Sequence, residues 1–189
     1  MNKQSLPYLL IDDDFSLNFS LVVMIIKKLG LSSKKNAVLD FEKLQIFLYL
    51  TKNPSKINSM LTLAGKNFVA IRTQYTYTIE SLSTNVDMLF DRKKLKTLLK
   101  ELAARGLLSC EIDNKKGTLK YLLSEKGDVF FEQICNQVPG LRDDRSDSLN
   151  PLVQNYFNAS LTVIDSLSSL QTQTNSKLNS YLNMIFKRN

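Results

Sequence analysis

The sequence predicts a mainly α protein with one small β-hairpin, an α+β fold. Three observations carry that reading. Only 6 Gly and 4 Pro punctuate 189 residues, so turns are few and helices long. Apolar residues recur at helical spacing behind acidic or polar caps. One stretch, residues 108–123, instead alternates as two short paired strands around a tight turn.

The elements follow in order. Asp12, Asp13 and Asp14 precede an apolar stretch from Phe15 to Leu29. Acidic residues suit a helix start, Lys27 and Lys28 suit its end, and Gly30 suits the stop. Phe15, Leu17, Phe19 and Leu21 alternate at strand period, but length and end signals favour helix. A basic loop, Ser32 to Asn36, comes next. Asp40 caps a second helix, Phe41 to Lys52, with Leu44, Phe47, Leu48 and Thr51 on one face, and Asn53-Pro54 ends it. Ser55 can cap a short third helix through Leu61. Gly65 to Thr78, with Phe68, Val69, Ile71, Tyr75 and Tyr77, reads as a strand or an ordered loop.

Residues 91–123 are the best specified. Asp91 is a good N-cap, and Phe90 and Leu95 have hydrophobic-staple spacing. Leu95, Leu98, Leu99 and Leu102 make one apolar face, and Gly106 closes the helix. Leu108, Cys110 and Ile112 alternate as a strand. Asn114 to Gly117 turns the chain, and Leu119, Tyr121 and Leu123 return it. Ser124 can cap another helix to about Gln137. Helix, hairpin, helix after earlier helices is the winged-helix pattern, with the hairpin as wing and Asp91 to Arg105 as the recognition-type helix. A generic helix–hairpin packing with no groove-binding role is the alternative.

Residues 1–138 therefore form the N-terminal helices and winged-helix domain, and 139–151 a polar linker. Residues 152–189 form a C-terminal helix or helical hairpin. Val153, Phe157, Leu161, Ile164 and Leu167 make one apolar stripe. Leu178, Tyr181, Leu182 and Ile185 make a second, and Gln171 to Lys177 between them is fully polar. So much Ser, Thr and Asn gives poor intrinsic helicity, so this segment needs a surface to pack on. Docking on a partner through Phe157, Leu161, Ile164, Leu178, Leu182 and Ile185 is the preferred reading, with an intramolecular brace close behind.

Composition excludes much chemistry. With no His, histidine triads, histidine bases and His-liganded metals are out. Two Cys, Cys110 and Cys135, are too few for a thiolate zinc site and read as reduced, buried small hydrophobes of a cytoplasmic protein. No glycine-rich phosphate loop is present. Asp12 to Asp14 read as a capping run rather than a metal site. Tyr75 and Tyr77 read as half-buried strand residues rather than a stacking platform. The start, Met1 to Ser5, has no apolar run long enough for a signal peptide. The longest apolar stretch, Leu21 to Ile26, falls well short of a membrane span. The expectation is no cofactor, no metal, no membrane and no enzymatic activity.

The charge is uneven. The chain carries a net +7. Residues 91–120 hold nine basic residues against four acidic, a net of +5, while residues 121–189 are near neutral. At 100° per residue, Lys93, Lys96 and Lys100 lie on the flank away from the leucines, and Lys115 and Lys116 sit at the wing tip. In a winged helix these five could straddle a duplex backbone. A solvated helix face explains the same lysines. No Arg or Asn is placed for bidentate base readout, so contact would be sequence-independent.

Several stretches together resemble one family. They are Asp12-Asp13-Asp14-Phe15-Ser16-Leu17-Asn18-Phe19, Asp40-Phe41-Glu42-Lys43-Leu44-Gln45-Ile46-Phe47-Leu48 and Lys52-Asn53-Pro54. Further on come Asp91-Arg92-Lys93-Lys94-Leu95, Ala104-Arg105-Gly106-Leu107-Leu108, Leu123-Ser124-Glu125-Lys126-Gly127 and Ser176-Lys177-Leu178-Asn179. In order and spacing these resemble the middle component of bacterial ABC-three-component systems, the group that includes the Lamassu middle subunit. The resemblance implies a non-catalytic subunit of an anti-phage or anti-plasmid defence complex. It would bridge an SMC- or Rad50-like ABC ATPase and an effector such as a nuclease. A free winged-helix transcription regulator, dimeric through its terminal helix, is the competing expectation.

Overall fold

The computed structural model describes residues 15–71, 91–113, 117–136 and 151–187. Within them the elements are α1 (Phe15–Leu29), α2 (Phe41–Lys52), a 3-10 turn (Pro54–Lys56), α3 (Ile57–Leu63) and α4 (Arg92–Ala104). Then come β1 (Leu108–Asp113), β2 (Thr118–Leu123), α5 (Glu125–Asn136), α6 (Pro151–Ser166), a 3-10 turn (Ser168–Leu170) and α7 (Asn175–Lys187). The architecture is mainly helical with one antiparallel hairpin, as expected. Asp12 to Asp14, Tyr75, Tyr77, Phe90 and the wing-tip residues Lys115 and Lys116 lie outside the described residues.

Helix α1 is the centre of the molecule. Leu21 to Ile26 are consecutive apolar residues, and all six are buried. A run of that length covers every face of a helix, so the helix must be surrounded. It packs against α2, α4, α5, α6 and β2. The strand-like alternation at its start is overridden by this burial: Phe19 and Leu21 enter the core, while Phe15 stays exposed.

Local signals set most boundaries. The Asp40 carboxylate accepts from the Lys43 N–H at 3.0 Å and starts α2. The Asp91 carboxylate accepts from the Lys94 N–H at 3.1 Å and starts α4. At the far end of α4, Gly106 has φ +70. Its N–H donates to the Ala103 carbonyl and that of Leu107 to the Leu102 carbonyl, a Schellman closure. The Ser124 hydroxyl accepts from the Gly127 N–H at 3.0 Å at the head of α5. Ser55 is different. It falls inside the 3-10 turn, and α3 begins without a side-chain cap. Asn53-Pro54 forces that tighter turn first.

Gly65 to Ile71 is an ordered loop. The Asn58 side-chain amide both donates to and accepts from the Val69 backbone, at 3.1 and 3.0 Å. Phe68 beside it points outward.

The hairpin register pairs Leu108 with Leu123, Cys110 with Tyr121 and Ile112 with Leu119. The Tyr121 N–H, on the other side of β2, donates to the Leu39 carbonyl at 2.8 Å. The α1–α2 loop therefore lies along β2, and Gly30 sits there because a Cβ would run into the Tyr121 and Ile26 carbonyls. Both cysteines are free thiols, but neither is buried as expected: Cys110, on the outer strand of the hairpin, is exposed, and Cys135, near the end of α5, is half-buried.

The terminal helices fold back onto the same core. Helix α6 packs on α1 and α2, and α7 on α2 and α3.

Candidate functional site

The basic unit is built on α4. Leu95, Leu98, Leu99 and Leu102 are buried, which turns the opposite flank outward. Lys93, Lys96 and Lys100 are all exposed on that flank. None of these three has an ion-pair partner among the described residues.

Other cations of the +5 unit are engaged. The Arg92 guanidinium lies 5.0 Å from the Phe41 ring centre. The Arg105 guanidinium pairs with Glu101 at 2.8 Å and lies 5.5 Å from the Phe19 ring. Lys120, counted in the unit's charge, is turned inward: its ammonium pairs with Asp40 at 2.8 Å, with the two side chains only 12% and 14% exposed.

That pair belongs to a polar seam which sequence reasoning missed. The Asp40 carboxylate accepts from the Lys43 N–H, from the Lys120 ammonium and from the Asn175 amide at 2.8 Å. Three elements, α2, β2 and α7, meet on one side chain. Burial alone would raise the Asp40 carboxyl. The hydrogen bonds from Lys120, Lys43 and Asn175, with the Lys120 charge, outweigh it and hold the group below its ordinary value. Gln171 is the second node. Its side-chain amide donates to the carbonyls of Leu29 at 2.7 Å and Leu31 at 2.6 Å, and its backbone carbonyl accepts from the Lys43 ammonium at 2.9 Å. The polar stretch between the two apolar stripes is thus anchored at Gln171, which is buried, and at the half-buried Asn175, while the residues around them stay largely exposed.

The stripes themselves face inward. Phe157, Ile164, Leu178, Leu182 and Ile185 are buried in the common core, and Leu161 is half-buried against it. That burial is what the intramolecular brace, one of the two arrangements left open by the sequence, calls for. The side chains expected to dock on a partner are covered by the chain's own helices.

An open cleft of about 470 Å³ lies between the Lys66–Val69 loop and the end of α6, lined by Asn67, Thr162, Asp165 and Ser168 among others. The Thr162 and Ser166 hydroxyls in its lining donate to the carbonyls of Asn158 and Val163 in their own helix rather than to Asp165. Among the described residues no cluster of His, Cys, Asp or Glu could hold a metal ion. Among them also, no helix is long and apolar enough to cross a membrane.

Residues 29–139 match the family model of the ABC-three component (ABC-3C) system Middle Component 4. The match runs from the end of α1 through α5 and contains Asp40, the basic face and the hairpin. No curated protein and no solved structure matches the chain.

Proposed function

The chain belongs to the Middle Component 4 family of ABC-three component systems, and from that premise we propose that it is a non-enzymatic adaptor of a cytoplasmic defence complex. It joins an SMC- or Rad50-like ABC ATPase to an effector such as a nuclease, in the manner of a Lamassu-type anti-phage or anti-plasmid system. Its helix–hairpin–helix unit acts as a winged helix. Lys93, Lys96 and Lys100, with Lys115 and Lys116 at the wing tip, touch a duplex backbone without reading its sequence.

One observation carries the backbone contact. Helix α4 has no acidic residue in its first turn, which instead holds Arg92, Lys93 and Lys94. Cations there oppose the helix dipole and are disfavoured by some tenths of a kcal/mol each. Arg92 gains from its contact with Phe41. Lys93 is exposed and has no such ring contact; the Asp91 cap already softens the cost, and a phosphate backbone would offset it further.

In this reading the six apolar residues of the terminal helices serve partner docking indirectly. They hold α6 and α7 against the core, and the partner meets the outward side of the pair. Truncation after Pro139 would therefore strip the core as well as the docking surface. Surface substitution is the cleaner experiment.

The test has two arms. The full chain is co-expressed with the ABC ATPase of its own system and recovered by affinity purification. Co-purification is expected, and its absence overturns the adaptor role. Duplex binding is then titrated against salt. The expected binding is weak, steeply salt-dependent and indifferent to sequence, its logarithmic slope falling by about 0.9 for each phosphate contact removed. Specific binding that survives physiological salt would identify a free regulator instead. Unchanged binding after charge reversal at the five lysines would sink the basic face.

A further inference from the structure

The hairpin leaves one edge open. In an antiparallel ladder, backbone groups point alternately toward and away from the paired strand. The Tyr121 N–H points away from β1, to the Leu39 carbonyl, and the Ser124 N–H bonds the Leu107 carbonyl across the ladder. Those two bonds fix the phase. Ser109 and Glu111 are the bonded partners of Leu122 and Lys120, while Leu108, Cys110 and Ile112 direct their N–H and C=O groups outward. No other residue takes those groups among the described hydrogen bonds.

The edge is exposed and partly apolar. Ser109, Cys110, Glu111 and Ile112 are all exposed, Ile112 at 66% and its cross-strand neighbour Leu119 at 48%. Small proteins protect such edges with charge, bulges or a covering element. Here the residues that turn their backbone outward, Leu108, Cys110 and Ile112, are uncharged and β1 has no bulge; its acidic residues, Glu111 and Asp113, sit at the positions bonded to β2.

We propose that β1 is a pairing edge for a second copy of the same chain. The pattern is self-complementary about a two-fold axis at Cys110, as an isologous contact requires. Antiparallel pairing there places Leu108 opposite Ile112 of the other copy, Cys110 opposite Cys110, and Ser109 opposite Glu111. The outward-pointing residues face one another, so Leu108 with Ile112 and Cys110 with Cys110 are hydrogen-bonded pairs, and the Ser109–Glu111 pairs between them are the non-bonded ones. No like charges are opposed. On one face of the resulting four-stranded sheet, Ile112 stands in a row with Leu119 of its own chain and with the half-buried Leu108 and Leu123 of the other. That row reduces the exposure of its most solvated apolar side chain. The contact is independent of the basic face and of the ATPase.

The test uses the full chain. Sedimentation velocity over a concentration series should show a monomer–dimer equilibrium. Cys110→Pro removes the outward N–H and leaves the hairpin's own ladder in place. Ile112→Asp places a charge in the apolar row. Each should weaken the dimer about tenfold or more with an unchanged circular dichroism spectrum. If the proline variant loses its spectrum, Ile112→Asp decides. In a Cys135→Ser background, a short bismaleimide should link two chains through Cys110. A monomer at every concentration overturns the proposal. So does a dimer that ignores both substitutions or resists the Cys110 link. Protection of β1 from hydrogen exchange that arises only on adding the ABC ATPase also overturns it, and assigns the edge to that partner.

Discussion

The α4–hairpin unit and the terminal helix pair solve opposite problems with opposite chemistry. The first is charged, ends in local caps and shows Lys93, Lys96 and Lys100 to solvent. The second is nearly uncharged, weak in helix propensity and turned inward. The difference separates what a chain keeps for itself from what it offers to others. Residues of the terminal pair are set by the chain's own packing, whereas Lys93, Lys96 and Lys100 contribute nothing to that packing. Substitutions in the two regions should therefore differ in kind. In one they should change stability, and in the other binding alone.

The largest effect is expected in the core of the terminal pair. Leu178 is fully buried, so Leu178→Ala removes packing and leaves a cavity that costs about 3 kcal/mol. Urea unfolding of the isolated chain measures it. A loss below roughly 1 kcal/mol would mean that α7 is not fixed to the core in solution. The stripe would then be free for a partner after all.

Asp40 joins the two regions, and Asp40→Asn isolates its charge, since Asn still caps a helix. Lys120 would keep its place with no counter-charge, at a cost of about 2 kcal/mol at neutral pH. The pH dependence has a definite sign. The folded Asp40 carboxyl is held below its ordinary 3.8. Its contribution is thus complete above that value and is lost as pH falls through the lower folded value. Urea midpoints of wild type and Asp40→Asn should converge as the solution is acidified. A gap that stays constant down to strongly acidic pH would remove the ion pair as its cause.

The same contrast explains what could be read from the residues in advance. Asp40, Asp91, Gly106 and Ser124 act within three or four residues of themselves, so their spacing alone places α2, α4 and α5. The register of β1 with β2 is equally local. The outward lysines of α4 follow from helical geometry once the leucine face is fixed. Gln171 and Asn175 act across 142 and 135 positions, on Leu29 and Asp40. Nothing in a run of polar residues distinguishes a buried amide that completes a backbone carbonyl from one in water. The same blindness hid the pairing of Lys120, one of the nine basic residues of 91–120: its partner is 80 positions away. The stripes were legible as apolar, but whether they cover the chain's own helices or another protein depends on three-dimensional fit, which periodicity does not encode.

The smallest effect on stability is the most informative about function. Lys93→Glu, Lys96→Glu and Lys100→Glu together replace three exposed cations that have no ion-pair partner among the described residues. Surface changes of this kind fall within about 0.5 kcal/mol. Lys93 lies in the first turn of α4, so a carboxylate there should favour the dipole and return a few tenths of a kcal/mol. The triple variant should then be as stable as the wild type, or slightly more so, while losing its salt-dependent hold on duplex DNA. A clear destabilisation would show that these lysines belong to the fold and carry no external role. Equal stability with equal binding would leave α4 with a charge its own helix disfavours and no ligand to account for it.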